Sequence, residues 1–158
     1  MPAYTRHRDV LPNGLRVVTL EVPHLHSAIL AIYVRCGSRH EEPRTNGVSH
    51  FLEHMFFRGS ERFPDTTLMN ARVEDAGGDL NGYTMRDHGL YFTPLHPAHL
   101  DVGFEVLGDL LCAPRLEKMD VEREVILEEM MDEVDASGRD VDLGNLAKRQ
   151  VFGRHPLA

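Results

Sequence analysis

Long apolar runs, paired cysteines and basic tracts are all missing from this sequence, and each absence removes a class of protein. The longest apolar runs are a few residues, far short of the roughly 20 a bilayer-spanning helix needs, so no transmembrane segment is expected. Cys36 and Cys112 stand 76 positions apart with no CxxC pair, which argues against a disulfide framework and a cysteine-based zinc site. Both are expected to serve as small core residues. Lys and Arg number 17 against 25 Asp and Glu, a net charge of −8. Nine of the acids lie between Glu117 and Asp135, where Lys118 and Arg123 are the only basic residues; the rest of the chain, with 16 acids and 15 basic residues, is nearly neutral. It offers no electropositive track for a phosphate backbone, so nucleic acid is not an expected partner. The first residues, Met1 to Asp9, hold no apolar stretch of signal-peptide type, and a cytoplasmic location is the expectation. Neither a repeat nor a low-complexity stretch is present.

What remains is globular. A chain of 158 residues with 42% hydrophobic and 27% charged side chains fits one domain and can bury a core. Asn13-Gly14 before the β-branched run Val17-Val18-Thr19 signals an opening hairpin, and Ser27 to Val34 is a second strand candidate. From Gly47 to Arg58, Val48, Phe51, Leu52, Met55 and Phe56 recur at helical spacing, with Gly59 as a stop. A second helix is expected from Pro64-Asp65 to Ala76, followed by strands over 79–85 and 88–94. Leu100, Phe104, Leu107 and Leu111 predict the buried stripe of a core helix. The acidic segment predicts a long helix buried along Val121, Val125, Ile126, Met130 and Val134, and a last helix covers 142–151. Strands and helices mix without βαβ alternation, which favours an α+β fold with a mostly antiparallel sheet flanked by helices.

The chemistry concentrates in His50-Phe51-Leu52-Glu53-His54. Residues four apart on a helix lie about 6 Å apart along the axis and share a face, so His50 and His54 can present two imidazoles to one metal ion. Glu53, three residues after His50, overlaps that face and can act on a metal-held water. The order HxxEH is the reverse of the HExxH of thermolysin-like enzymes. Two imidazoles and one carboxylate suit Zn²⁺, with the fourth position left open as in catalytic sites. Any of the nine acids of 117–135 could supply that carboxylate.

Around this motif the sequence resembles the pitrilysin-type (M16) zinc metallopeptidases, the inverzincins. His50 to Ser60 (HFLEHMFFRGS) is similar to their active-site helix, and Leu11 to Val18 (LPNGLRVV) to their first strand. Gly37-Ser38-Arg39 with Glu41 or Glu42 resembles the loop before the active helix. Gly77 to Thr84 (GGDLNGYT) resembles the "GG..NA.T" strand, Glu122 to Glu129 (EREVILEE) the "ER.V...E" helix, and Gly153 to Leu157 (GRHPL) the "G.HPL" segment. These matches run in order from residue 11 to 157.

The resemblance implies one Zn²⁺ ligated by His50, His54 and Glu129, with Glu53 as general base in peptide-bond hydrolysis. Glu128, about 100° around the helix from Glu129, is the competing ligand. Glu122, two turns before Glu129, is implied to accept a hydrogen bond from a ligand histidine and fix its tautomer. Asn81, Gly82, Tyr83 and Thr84 are implied to form a sheet edge to which a peptide or protein substrate adds as a strand. Gly82 stands where the pattern has alanine, which makes that strand more flexible and its first side-chain pocket less defined. Phe51, Leu52, Met55 and Phe56 are expected to anchor the active helix in the core. The family's two-halved architecture implies that residues 1–158 form an incomplete N-terminal zinc-binding domain, lacking the C-terminal half. Catalysis then calls for that half or a partner chain, and a zinc-binding subunit inactive on its own is the alternative reading.

Overall fold

A computed structural model describes residues 4–157. The elements in chain order are β1 (Thr5–Val10), β2 (Arg16–Glu21), β3 (Ala28–Val34), α1 (Val48–Phe56), α2 (Thr66–Glu74), β4 (Asn81–Thr84), β5 (Gly89–Leu95), α3 (Leu100–Cys112), α4 (Met119–Asp132) and α5 (Leu143–Phe152). The strands pair antiparallel throughout, and the α+β architecture matches the reading of the sequence.

β1 and β2 form a hairpin whose Asn13 side chain accepts a hydrogen bond from the Leu15 amide at 3.0 Å, closing the turn. This hairpin is a two-stranded sheet of its own with every residue exposed. The second sheet has the order β3-β5-β4, with Ile32 opposite Tyr91 and Gly82 opposite Tyr91 on the other side. β5 is thus central. β4 begins at Asn81 opposite Phe92 and runs back toward Gly89, so Pro94, which has no amide hydrogen, falls where β5 has only one neighbour.

Helices α2 and α3 cover one face of this sheet. Met69 and Val73 from α2 meet Tyr91 and Leu95 from β5 and Val102, Val106, Leu107 and Leu110 from α3. Each fully buried aliphatic side chain contributes about 1.5–3 kcal/mol relative to exposure. Asp65 caps α2 by accepting from the Leu68 amide at 2.9 Å, and Asp142 caps α5 by accepting from Asn145 at 2.7 Å.

Three packing expectations need correction. The buried side of α3 runs through Val102, Gly103, Val106, Leu107 and Leu110, whereas Phe104 is 63% exposed and Leu100 and Leu111 are half-buried. The cause is Gly103: a methyl there would lie 2.8 Å from Leu95 and 3.2 Å from Leu30 and Thr93, so the helix presses its glycine side against the sheet and turns Phe104 outward. On α4 the single buried residue is Glu122; Val121, Met130 and Val134 are exposed, and Val125 and Ile126 half-buried. This helix rests on α1 along the line of Glu122, Val125, Ile126 and Glu129, which keeps Val125 and Ile126 of the expected stripe and has the two glutamates in place of Val121 and Met130, and Val134 lies beyond the helix end. Finally, Cys112 is exposed in the last turn of α3 and Cys36 only half-buried, so neither is a full core residue.

Candidate metal centre

α1 begins where the chain turns at Gly47, and a carboxylate outside the helix caps it. Glu41 accepts from the Gly47 amide at 2.6 Å and from the Ser49 amide at 2.8 Å. Burial pushes the Glu41 carboxyl up, but the hydrogen bonds from Ser49 and Gly47 outweigh it and hold its pKa below the ordinary glutamate value. Glu42 instead caps the short turn Pro43–Thr45. Of the anchors expected along α1, Met55 is buried, while Phe51, Leu52 and Phe56 are half-buried.

His50 and His54 extend from α1 toward α4. Their Nε2 atoms are 3.1 Å apart, and Oε2 of Glu129 lies 3.8 Å from His50 Nε2 and 3.4 Å from His54 Nε2. Four-coordinate zinc with bonds of about 2.0–2.1 Å separates its ligand atoms by about 3.3 Å at the tetrahedral angle. The three observed separations bracket that value, so the donor set fits the ion in chemistry and in spacing. Among the described residues this is the one group of three or more His, Cys, Asp or Glu side chains with ligand atoms so close together. Glu128 is not part of it. His88 pairs with Asp87 at 2.8 Å, and His40 reaches the Asp87 carbonyl at 3.3 Å.

Behind His54 sits the buried Glu122, 3% exposed. Its Oε1 lies 2.9 Å from His54 Nδ1, and its Oε2 accepts a hydrogen bond from Arg58 Nε. Burial raises the carboxyl pKa, and the hydrogen bonds from Arg58 and His54 reverse that to leave it below the usual glutamate value.

Glu53 faces a different partner. Its Oε2 accepts a hydrogen bond from the Thr84 hydroxyl, which ties the carboxylate to the last residue of β4. Next to it, burial foremost and the negative charge of Glu53 after it push the Tyr91 phenol well above its ordinary pKa. β4 is an outer strand of its sheet and packs on α1. Asn81 donates to Asp79 at 2.9 Å, Tyr83 is exposed, and Gly82 lies beneath the Phe57 ring: a methyl at Gly82 would fall 2.6 and 2.8 Å from ring carbons of Phe57.

These groups place two imidazoles and a carboxylate, backed by a second buried carboxylate and flanked by a third, beside an outer strand. The family model of insulinase (peptidase family M16) matches residues 16–155. The chain belongs to this family of zinc metallopeptidases. It is 38% identical over 138 residues to a probable mitochondrial-processing peptidase subunit beta of Arabidopsis thaliana, covering 86% of this chain and 26% of that protein. It is 34% identical over 155 residues to an uncharacterized zinc protease of Streptomyces coelicolor, covering 97% of this chain and 33% of the relative. Among solved structures, a protease from Helicobacter pylori superimposes with a TM-score of 0.83 at 25% identity, over 98% of this chain and 38% of the other. The chain thus spans about a quarter to a third of the length of these curated relatives.

Two contacts of this M16 site had no counterpart in the reading of the sequence. The Arg58–Glu122 pair was signalled by spacing alone: Arg58 stands four residues after His54, on the same face, where a cation can reach any acid placed beside that histidine. The bond from Thr84 to Glu53 carried no signal, because strand residues 31 positions away reveal their neighbours only once the sheet has packed on α1.

Proposed function

We propose that this chain is the zinc-binding part of an M16 endopeptidase, with His50, His54 and Glu129 holding one Zn²⁺ and Glu53 acting as general base. The observation that supports it most directly is the convergence of His50 Nε2, His54 Nε2 and Glu129 Oε2 from two helices. When bound, zinc supplies a Lewis acid that polarises the scissile carbonyl and lowers the pKa of a water to about 7. Glu53 would take a proton from a water at this site and pass it to the leaving amine, with the Thr84 hydroxyl steadying one oxygen of its carboxylate. Glu122 holds His54 through Nδ1 and so leaves Nε2 for the metal.

Along β4, Asn81, Gly82, Tyr83 and Thr84 offer one strand edge to an extended peptide or protein substrate. Main-chain hydrogen bonds there give affinity that depends little on substrate sequence. The Phe57 ring fills the space beneath Gly82, which supports a shallow subsite at that step. A second reading, a zinc-binding unit that gains activity only with further sequence or a partner chain, is favoured by the fraction of its relatives' length that the chain spans.

The test compares the chain with its Glu53→Gln variant, alone and mixed with a C-terminal-type M16 partner. Zinc content and cleavage of an unstructured peptide are measured. Glu53→Gln is expected to keep one zinc and lose hydrolysis by at least about 100-fold. Turnover by the variant comparable to wild type refutes the role of Glu53, and absence of zinc from wild type refutes the metal site.

A further inference from the structure

Glu122 is a buried carboxylate with two oxygens and two partners among the described residues. Oε1 meets His54 Nδ1, and Oε2 is taken by Arg58. His54 lies in the last turn of α1 and Arg58 in the turn just after it, whereas Glu122 comes from the first turn of α4. A glutamate has three rotatable bonds, and a hydrogen bond to one oxygen alone leaves the carboxylate free to turn about it. The guanidinium is a rigid planar donor that accepts nothing, so its bond to Oε2 fixes the carboxylate plane. The Arg58 side chain is 38% exposed, that of Glu122 only 4%.

The orientation matters because of what His54 must do at the metal. A neutral imidazole carries its hydrogen on one nitrogen and offers the lone pair of the other. With an acceptor fixed at Nδ1, the hydrogen resides there and Nε2 points its lone pair at Glu129 and His50. With that acceptor loose, the ring can carry its hydrogen on Nε2 and lose the ability to ligate through it.

We propose that Arg58 is a positioning residue of the metal site, acting through Glu122 to hold His54 in the tautomer that ligates through Nε2. This inference rests on the zinc reading above and adds a residue to it. Arg58 touches neither the metal ligand atoms nor the substrate edge, so its effect is on affinity and tautomer rather than on a chemical step.

The experiment uses the full chain, ¹⁵N-labelled, as wild type, Arg58→Met, Arg58→Lys, Glu122→Gln and the Arg58→Met/Glu122→Gln pair. Long-range ¹H–¹⁵N spectra of the metal-free proteins report the His54 tautomer, and chelator competition gives zinc affinity. Wild type should show Nδ1 protonated and Nε2 bare. Arg58→Met should show both tautomers and bind zinc about 10-fold more weakly, the lower end of the range for partners of ligand histidines because it acts one bond further out. Arg58→Lys, which keeps a cationic donor but not the planar guanidinium, should recover only part of both signals. The pair should bind zinc no more weakly than Glu122→Gln alone. If Arg58→Met fails to fold by circular dichroism, Arg58→Gln carries the same two readouts. Zinc binding by wild type with unchanged affinity and a single tautomer in the Arg58 variant overturns the proposal and leaves the metal site standing. Failure of wild type to bind zinc overturns the metal site itself.

Discussion

Zinc should lock α4 onto α1, and hydrogen exchange can measure by how much. In the proposed site two ligands would come from α1 and one from α4, so the ion would bridge two helices whose mutual surface is poor in apolar burial: Glu122 is the only buried residue of α4. Without metal, detaching α4 exposes little hydrophobic surface, and openings that release it should be among the least costly in the molecule. Zinc binds the closed arrangement through three ligands and the open one through two at most. At free zinc 100 times the dissociation constant, the closed form gains about 2.7 kcal/mol, which slows exchange through such openings about 100-fold. The assay is amide exchange by mass spectrometry with and without zinc, on wild type, Glu129→Ala and Glu128→Ala. Protection should concentrate in 119–132, vanish in Glu129→Ala and persist in Glu128→Ala. Protection spread evenly over the chain, or unchanged in Glu129→Ala, refutes the bridge.

Two further outcomes follow from the surroundings of α1. Gly82→Ala places a methyl against the Phe57 ring and should cost about 1–3 kcal/mol by overpacking; adding Phe57→Leu should return part of it, read as urea midpoints, and a neutral Gly82→Ala refutes the close contact. Glu41 is held below its ordinary pKa in the folded chain, so its contribution is fully present above about pH 4.5 and is lost as pH falls through the folded value. Glu41→Gln should therefore flatten the decline of thermal stability below that pH, and an acid limb as steep as wild type counts against the cap.

Several helices and strands were legible because they have a local cause: the turn at Asn13-Gly14, the start of α2 at Pro64-Asp65, and helical spacing through Phe51 and Met55. Burial was legible only where one face has one neighbour. On α3 the apolar residues nearly encircle the helix, so periodicity left the phase undecided, and Gly103 set it by close approach to Leu95. On α4 the apolar pattern found the middle of the docked side, Val125 and Ile126, but not its ends, because those are carried by two glutamates. The His50/His54 pair could be read from spacing within one helix, whereas the choice of Glu129 among nine acids needed the resemblance to a family. Helical geometry alone says nothing about which face of α4 meets α1. The structure brings Glu129, and not Glu128, to the histidines.

The separation of the ligands along the chain has a consequence for how the site comes into being. His50 and His54 face one another as soon as a single helix forms, but Glu129 follows 75 residues after His54, beyond α2, β4, β5 and α3. Closing a loop of that length is a late, entropically costly event in folding. A growing or partly folded chain therefore offers passing cations only a pair of imidazoles, a weak and unselective grip shared by many metals. If the proposed ligands hold the metal, discrimination among ions would begin only when α4 docks, so the acquisition of structure and the choice of metal would be one event.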